Sequence, residues 1–246
     1  MCYLLNTKIN RRVIIMNFNI QKENNVIISD RVKKVMEDFD IKPEHSNETF
    51  VGSIDIDDDW NIGIIVGGSG TGKSTIAKEL FNEFYINGFT YDDRSVLDNM
   101  PQSSDIHEIE LAFTAVGFSS PPSWLKPYKV LSTGEKMRVD LARSILQDNS
   151  TVVFDEFTSV VDRNVAKTCS IAIQKEFRRR NKKFIAVSCH KDIVEYLQPD
   201  WIYDTDQKCF FGQRVNMSDP QKKLTYTKLA DLISNKYGQY LGSIII

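Results

Sequence analysis

One stretch limits what this chain can fold into more than any other: Ile62 to Thr75, reading Ile-Gly-Ile-Ile-Val-Gly-Gly-Ser-Gly-Thr-Gly-Lys-Ser-Thr. Ile62, Ile64, Ile65 and Val66 make an apolar, β-branched run that predicts a buried strand. The run breaks into Gly67-Gly68-Ser69-Gly70-Thr71-Gly72-Lys73-Ser74, which fits the pattern G-x-x-x-x-G-K-[ST] at every required position. Thr75 then starts a helical pattern. Glycines carry no Cβ, so successive backbone N–H groups can turn inward and form an anion nest at a helix N-terminus. Lys73 is placed to reach β- and γ-phosphates, and Ser74 to offer its hydroxyl to Mg²⁺. Strand, glycine loop and helix in this order predict a nucleoside triphosphate site built from Gly67, Gly68, Ser69, Gly70, Thr71, Gly72, Lys73, Ser74 and Thr75.

The 246 residues suffice for one large α/β domain. The expected division is a β-rich part over 1–60, a nucleotide-binding core over 61–202, and a hairpin and helix over 203–246. A net charge of −2 excludes a global basic field for nucleic acid. No apolar run approaches the ~20 residues that span a bilayer, and the N-terminus lacks the apolar core of a signal peptide. Cys2, Cys169, Cys189 and Cys209 are widely separated, without C-x-x-C spacing, so reduced thiols in a cytoplasmic protein are expected and a zinc site is not.

Before the glycine loop, strands are expected at Arg12–Ile20, Val26–Ile28 and Thr49–Ile56, and a short helix at Arg31–Phe39. Asp57 to Asn61 reads as a solvated turn; Asp55, Asp57 and Asp59 resemble the start of a calcium loop, but Trp60 stands where its glycine belongs. After the loop helix, a turn at Gly88 and a short strand ending near Met100 are expected, then a helix over 103–118. The prolines of 119–128 mark an irregular connection. A helix follows from Leu131, a buried strand at Thr151–Glu156, a long helix from Arg163 to Arg180, a strand at Lys183–His190, a short helix at Asp192–Leu197, a hairpin from Trp201 and a final helix at Gln221–Tyr240. Strands alternating with helices favour a mostly parallel sheet, with chemistry at the strands' C-terminal ends. Gly67, Asp155 and His190 all stand at such ends.

Asp155 closes an apolar strand and is placed to hold Mg²⁺ through water; Glu156 beside it can polarise an attacking water. At this point the residues resemble the ABC-type ATPases. Leu131-Ser132-Thr133-Gly134-Glu135 is similar to the signature Leu-Ser-Gly-Gly-Gln, Phe154-Asp155-Glu156 to the Walker B motif with its catalytic glutamate, and Ser159-Val-Val-Asp162 to the D-loop. His190 stands in the place of the switch histidine, and Gln102, after Met100-Pro101, in that of the Q-loop glutamine. The resemblance spans about Phe50 to Ile202. It implies an α/β P-loop NTPase of ABC type, with a mostly parallel central sheet, an N-terminal antiparallel β part and a shortened helical subdomain. It also implies ATP and Mg²⁺ as cofactors.

The resemblance further implies a homodimer that closes head to tail around two ATP molecules. Ser132, Gly134 and Glu135 of one subunit would cap the ATP held by the other's glycine loop, at the N-terminus of the signature helix. In that arrangement Gln102 senses Mg²⁺ and the γ-phosphate, Glu156 orients water, His190 contacts the γ-phosphate, Lys73 stabilises the transferred group and Asp162 links the two sites. The metal set is Ser74, Gln102 and Asp155.

Two departures bear on the family pattern. Thr133 replaces a glycine of the signature and brings a Cβ close to the phosphate. Only 59 residues separate Lys73 from Ser132, fewer than transporter subunits usually allow, so the helical part that docks on membrane partners is expected to be trimmed. Phe39 and Phe50 are the candidates to stack on adenine.

Trp60-Asn-Ile-Gly-Ile-Ile-Val-Gly, Ser95-Val-Leu-Asp and Val116-Gly-Phe-Ser-Ser-Pro-Pro-Ser-Trp-Leu-Lys-Pro are similar to a phage and bacterial group of stand-alone ABC ATPases. Some of its members carry an N-acetyltransferase-like domain after the ATPase, for which no room remains before Ile246. The basic run Arg178–Lys183 reads as solvated cations at a helix C-terminus, and gives a nucleic-acid contact little support. A Cys189–His190 nucleophile is disfavoured because neighbours on a strand face opposite ways. The expected function is ATP hydrolysis by a soluble, non-transporter ABC-type ATPase, in nucleic-acid maintenance or phage and defence processes, with room for an unidentified protein partner. The rivals are a transporter's nucleotide-binding subunit and a slow ATP switch.

Overall fold

The structure, a computed structural model, describes residues 13–24, 27–41 and 46–212. In chain order these form β1 (Val13–Asn24), α1 (Asp30–Phe39), β2 (Ser46–Asp57), β3 (Ile62–Val66), α2 (Lys73–Phe81), β4 (Tyr85–Ile86), α3 (Ile106–Ala115), α4 (Pro121–Trp124), α5 (Thr133–Leu146), β5 (Thr151–Phe154), α6 (Arg163–Arg179), β6 (Lys183–Ser188), α7 (Val194–Leu197), β7 (Trp201–Asp204) and β8 (Cys209–Gly212). The helix expected over 221–240 lies outside the described residues.

Six strands form the central sheet in the order β4-β5-β6-β3-β7-β8, and β1 and β2 form a separate antiparallel pair. Within the central sheet the first five strands run parallel and β8 turns back antiparallel to β7. The glycine-loop strand β3 therefore lies between β6 and β7, with Val66 level with Ser188 and with Asp204. Phe154 of β5 pairs with Ala186, so four strand ends open on one edge. The mostly parallel sheet with an antiparallel part is the expected architecture.

The pleat sorts the core into two layers. Ile62, Ile64 and Val66 join Phe184 and Ala186 against α3, α5 and α6, where Phe113, Leu141, Ile145, Ile173 and Phe177 are buried. Ile65, Ile185 and Val187 face the other way, onto α2 and the β1–β2 pair, with Phe18, Ile54, Ile76 and Trp201. Both faces being covered is why these strands read as unbroken apolar runs.

Four expectations need correction. No strand forms at Ile27–Ile28: they lead into α1, and Ile27 is 90% exposed, with Ser29 capping α1 by accepting from Val32 N. The segment ending at Met100 is a chain of turns with a single bridge, Ser95 to Pro127. Its polar side chains take the backbone partners a strand would need: Ser95 Oγ accepts from Asp98 N, and Asn99 donates to the Ser95 carbonyl at 2.9 Å. Arg178 is not a merely solvated cation but pairs with Asp200. The helix expected over 103–118 is shorter at its start because Asp105 and Glu108 close a reciprocal capping box there.

Candidate functional site

The glycine loop leaves β3 at Val66 and ends as α2 begins at Lys73. Gly70 (φ 78°) and Gly72 (φ 84°) take left-handed backbone that a side chain would strain, and a Cβ on Gly72 would come within 2.3 Å of the Phe50 ring. Lys73 Nζ donates to the Gly68 carbonyl at 2.6 Å, folding its ammonium over the loop. Thr71 Oγ1 donates to the same carbonyl at 2.8 Å. The β7–β8 turn supports the loop from behind. Thr205 N donates to the Val66 carbonyl at 2.8 Å, the Thr205 and Thr71 hydroxyls are 2.6 Å apart, and Asp206 Oδ1 accepts from Gly68 N at 2.8 Å. Lys191 bridges Asp204 (2.9 Å) and Asp206 (2.8 Å). Burial opposes the charge of Asp206, but Lys191 and the Gly68 N–H outweigh it and hold that carboxyl below its ordinary range.

Of the two aromatic candidates, Phe50 meets the loop while Phe39 is 71% exposed on α1. Phe50, Thr71, Ile76 and Tyr203 line a cleft of about 300 Å³ beside the loop.

At the end of β5, Asp155 Oδ1 accepts from Glu156 N at 2.9 Å and Oδ2 accepts from the Tyr85 hydroxyl. Burial, then the bond to Asp155, pushes that phenol above its ordinary range and keeps it a donor. Glu156 sits at φ 52° and Thr158, fully buried and β-branched, at φ 68°, a strained turn at the strand end. Ser159 Oγ donates to Glu156 Oε2 at 2.6 Å.

His190 follows β6, its N–H donating to Ser188 Oγ at 3.1 Å. Arg163 Nη2 lies 3.1 Å from His190 Nδ1. A guanidinium only donates, so Nδ1 accepts and the proton of the neutral ring sits on Nε2. Burial, then Arg163, lowers the His190 pKa and favours that neutral ring. Asp162 caps α6 by accepting from Asn164 N (2.9 Å) and Val165 N (3.0 Å). Ser132 is exposed and caps α5 in a reciprocal box with Glu135: Ser132 N donates to Glu135 Oε2 at 2.9 Å, and Glu135 N donates to Ser132 Oγ. The buried Leu131 anchors that turn while Ser132 and Thr133 face outward.

Among curated proteins, the chain is 28% identical over 162 residues to the human mitochondrial iron-sulfur clusters transporter ABCB7, covering 50% of this chain and 22% of that protein. It is 24% identical over 207 residues to human ATP-binding cassette sub-family G member 5 (66% of this chain, 31% of that protein). To the lactococcin-G-processing and transport ATP-binding protein LagD of Lactococcus lactis it is 26% identical over 207 residues (67% and 29%). The chain thus spans less than a third of each of these relatives. No family model matches. Among solved structures, a bacterial Atm1-family ABC exporter with ATP bound superposes with a TM-score of 0.52 at 18% identity, over 73% of this chain and 39% of that one. The ATP-binding cassette MJ0796, in a dimeric post-hydrolysis state bound to ADP and Pi, gives 0.51 at 12% identity, over 78% and 94%. The chain has the fold of an ABC-type ATPase domain.

In this fold the sheet edge collects Lys73, Asp155, Glu156 and His190 on the loops after three neighbouring strands, β3, β5 and β6. Gln102 is not drawn in: it is exposed in the turn before α3, and its amide donates to the Asp98 carbonyl at 3.5 Å. Ser132, Gly134 and Glu135 lie on a separate helix start. Sequence reasoning missed Tyr85, Arg163 and the Thr205–Asp206 turn. Only the polar hairpin turn after β7 carried a local signal.

Proposed function

We propose that this ABC-type domain binds ATP with Mg²⁺ and hydrolyses it, closing with a second copy so that each α5 N-terminus caps the nucleotide of the other. The observation that carries the reading is the gathering of a glycine loop, a carboxylate pair and a histidine at one edge of a parallel sheet. The Gly67–Ser74 backbone and Lys73 hold the phosphates, and Phe50 stacks on the base. Ser74, on the first turn of α2, and Asp155, at the end of β5, fit the metal, since they offer the hydroxyl and carboxylate oxygens that a Mg²⁺ site takes and that phosphate and water commonly complete. The metal neutralises phosphate charge when bound. Glu156 accepts a proton from the attacking water, and His190 Nε2–H is a donor for a phosphate oxygen. The exposed Ser132 end of α5 supplies the second anion site, with Gly134, Glu135 and the partner's Asp162 segment at the same seam. Gln102 joins the metal only if its turn moves on closure.

Steady-state phosphate release with Mg²⁺–ATP tests this reading. Turnover is expected to fall to background in EDTA and to return when Mg²⁺ is restored. Release that ignores EDTA contradicts it. Running the same assay with DNA or RNA tests the nucleic-acid role, and stimulation supports genome maintenance or defence, the setting implied by the likeness to phage stand-alone proteins.

The protonation state of His190 gives a second test. Arg163 and burial depress its pKa, while Asp192 and Glu156 raise it. Arg163→Gln removes one depressing cause, so the His190 pKa rises. The acid limb of the kcat–pH profile is then expected to shift to higher pH. An unmoved limb removes His190 from the turnover mechanism.

A second reading, the nucleotide-binding part of a transporter, is favoured by the transporter names among the relatives. No helix among the described residues is long and apolar enough to cross a membrane. The short 59-residue interval between Lys73 and Ser132 supports the non-transporter reading. Co-purification with an integral membrane protein decides for the transporter.

A further inference from the structure

Tyr85 opens the two-residue strand β4 at the sheet edge, paired in parallel with Val153 of β5. Asp155 lies two residues beyond Val153, so the phenol of Tyr85 reaches past the strand end to that carboxylate and donates to Oδ2. Ser74 lies on the first turn of α2. Lys78, one turn further along α2, sets its ammonium 4.9 Å over the Tyr85 ring. Thus the ring is pinned to the helix that carries Ser74, while its hydroxyl is bonded to the strand end that carries Asp155.

The effect on Asp155 is specific. Oδ1 is engaged by the Glu156 N–H and Oδ2 by Tyr85, so the carboxylate cannot turn about its bond to Cβ. Each oxygen keeps a lone pair free for the metal's water. We propose that Tyr85 is a positioning residue of the metal site, fixing Asp155 relative to Ser74 before nucleotide arrives. This rests on the proposed ATPase function and extends it to a residue outside every motif of the sequence. Polar groups that orient metal-site carboxylates typically change metal affinity by ~10–100-fold when removed. A phenylalanine keeps the ring, its contact with Lys78 and the β4 pairing, and removes only the hydroxyl.

The test is Mn²⁺ binding to the nucleotide-loaded full chain, measured by electron paramagnetic resonance for wild type and Tyr85→Phe. Nucleotide affinity in EDTA and the melting temperature are measured alongside. For Tyr85→Phe the Mn²⁺ dissociation constant is expected to rise about 10-fold, with EDTA nucleotide affinity and melting temperature unchanged. Lys78→Met, which frees the ring but keeps the hydroxyl, is expected to weaken Mn²⁺ binding less. Equal Mn²⁺ affinity in wild type and Tyr85→Phe overturns the assignment, as does a loss of metal-free nucleotide affinity equal to the loss for Mn²⁺. If wild type binds no nucleotide with or without Mn²⁺, the ATPase reading falls, and this inference with it.

Discussion

Glu156→Gln is expected to lower phosphate release by about 10²–10³-fold while ATP still binds, the loss typical for one well-placed electrostatic group. The substitution keeps the shape of the side chain and its acceptor for Ser159 Oγ, now 2.6 Å from Oε2, and removes the negative charge that draws a proton from water. It leaves in place the phosphate-binding loop's own bonds, in which Thr71 and Lys73 both donate to the Gly68 carbonyl. On the proposed reading the nucleotide then persists as triphosphate, and two copies that share it cannot part by splitting it. Size-exclusion chromatography with ATP is expected to show a species of twice the mass for Glu156→Gln and mostly single copies for wild type at steady state. Adding Ser132→Arg to the same chain puts a bulky cation on the exposed cap of α5 and is expected to return it to single copies. Normal turnover in Glu156→Gln moves the base elsewhere. A trapped species that survives Ser132→Arg removes the shared nucleotide as the reason for pairing.

What the sequence made legible was local. The glycine loop, the strand ending at Asp155 and the strand before His190 each combine an apolar run with a polar end, and a buried parallel strand leaves few other ways to arrange them. The hairpin after Trp201 was legible for the same reason. The missed residues act at a distance in sequence. Tyr85 meets Asp155 across 70 positions and Arg163 meets His190 across 27. Neither pair has a spacing that names it, because a sheet edge and a helix start place them. Arg163 was assigned only as the first residue of a helix, although its guanidinium sets the histidine's tautomer. The errors have a common cause as well. Ile27 and Ile28 look like a strand by composition but find no ladder to join, and Ser95, Asp98 and Asn99 spend their side chains on their own backbone. Gln102 was placed by its neighbour Pro101, and a motif position does not fix where a turn points.

Asp200→Ala is expected to destabilise the domain by about 3–5 kcal/mol, the loss typical when one partner of a buried ion pair is removed. The Asp200 side chain is 8% exposed and takes both of its oxygens to within 3.0 Å of Arg178 Nη1. Oδ2 also accepts from Asn61 N (2.8 Å) and Ile62 N (2.9 Å), where the chain enters the glycine-loop strand. One carboxylate thus joins the end of α6 to the start of β3, at the edge opposite the nucleotide. Alanine leaves those two N–H groups without this acceptor beside a half-buried guanidinium, and the desolvation of each is then unrepaid. For a domain of this size the loss corresponds to a fall in melting temperature of about 6–20 °C. Arg178→Ala is expected to fall by a similar amount, and the double variant by clearly less than the sum, since both changes break one network. Below the melting range the KM for ATP should stay near the wild-type value, because the loop lies at the other end of the strand. Additive losses would show that Asp200 and Arg178 stabilise the fold separately, and the basic run after α6 would then revert to a solvated helix end.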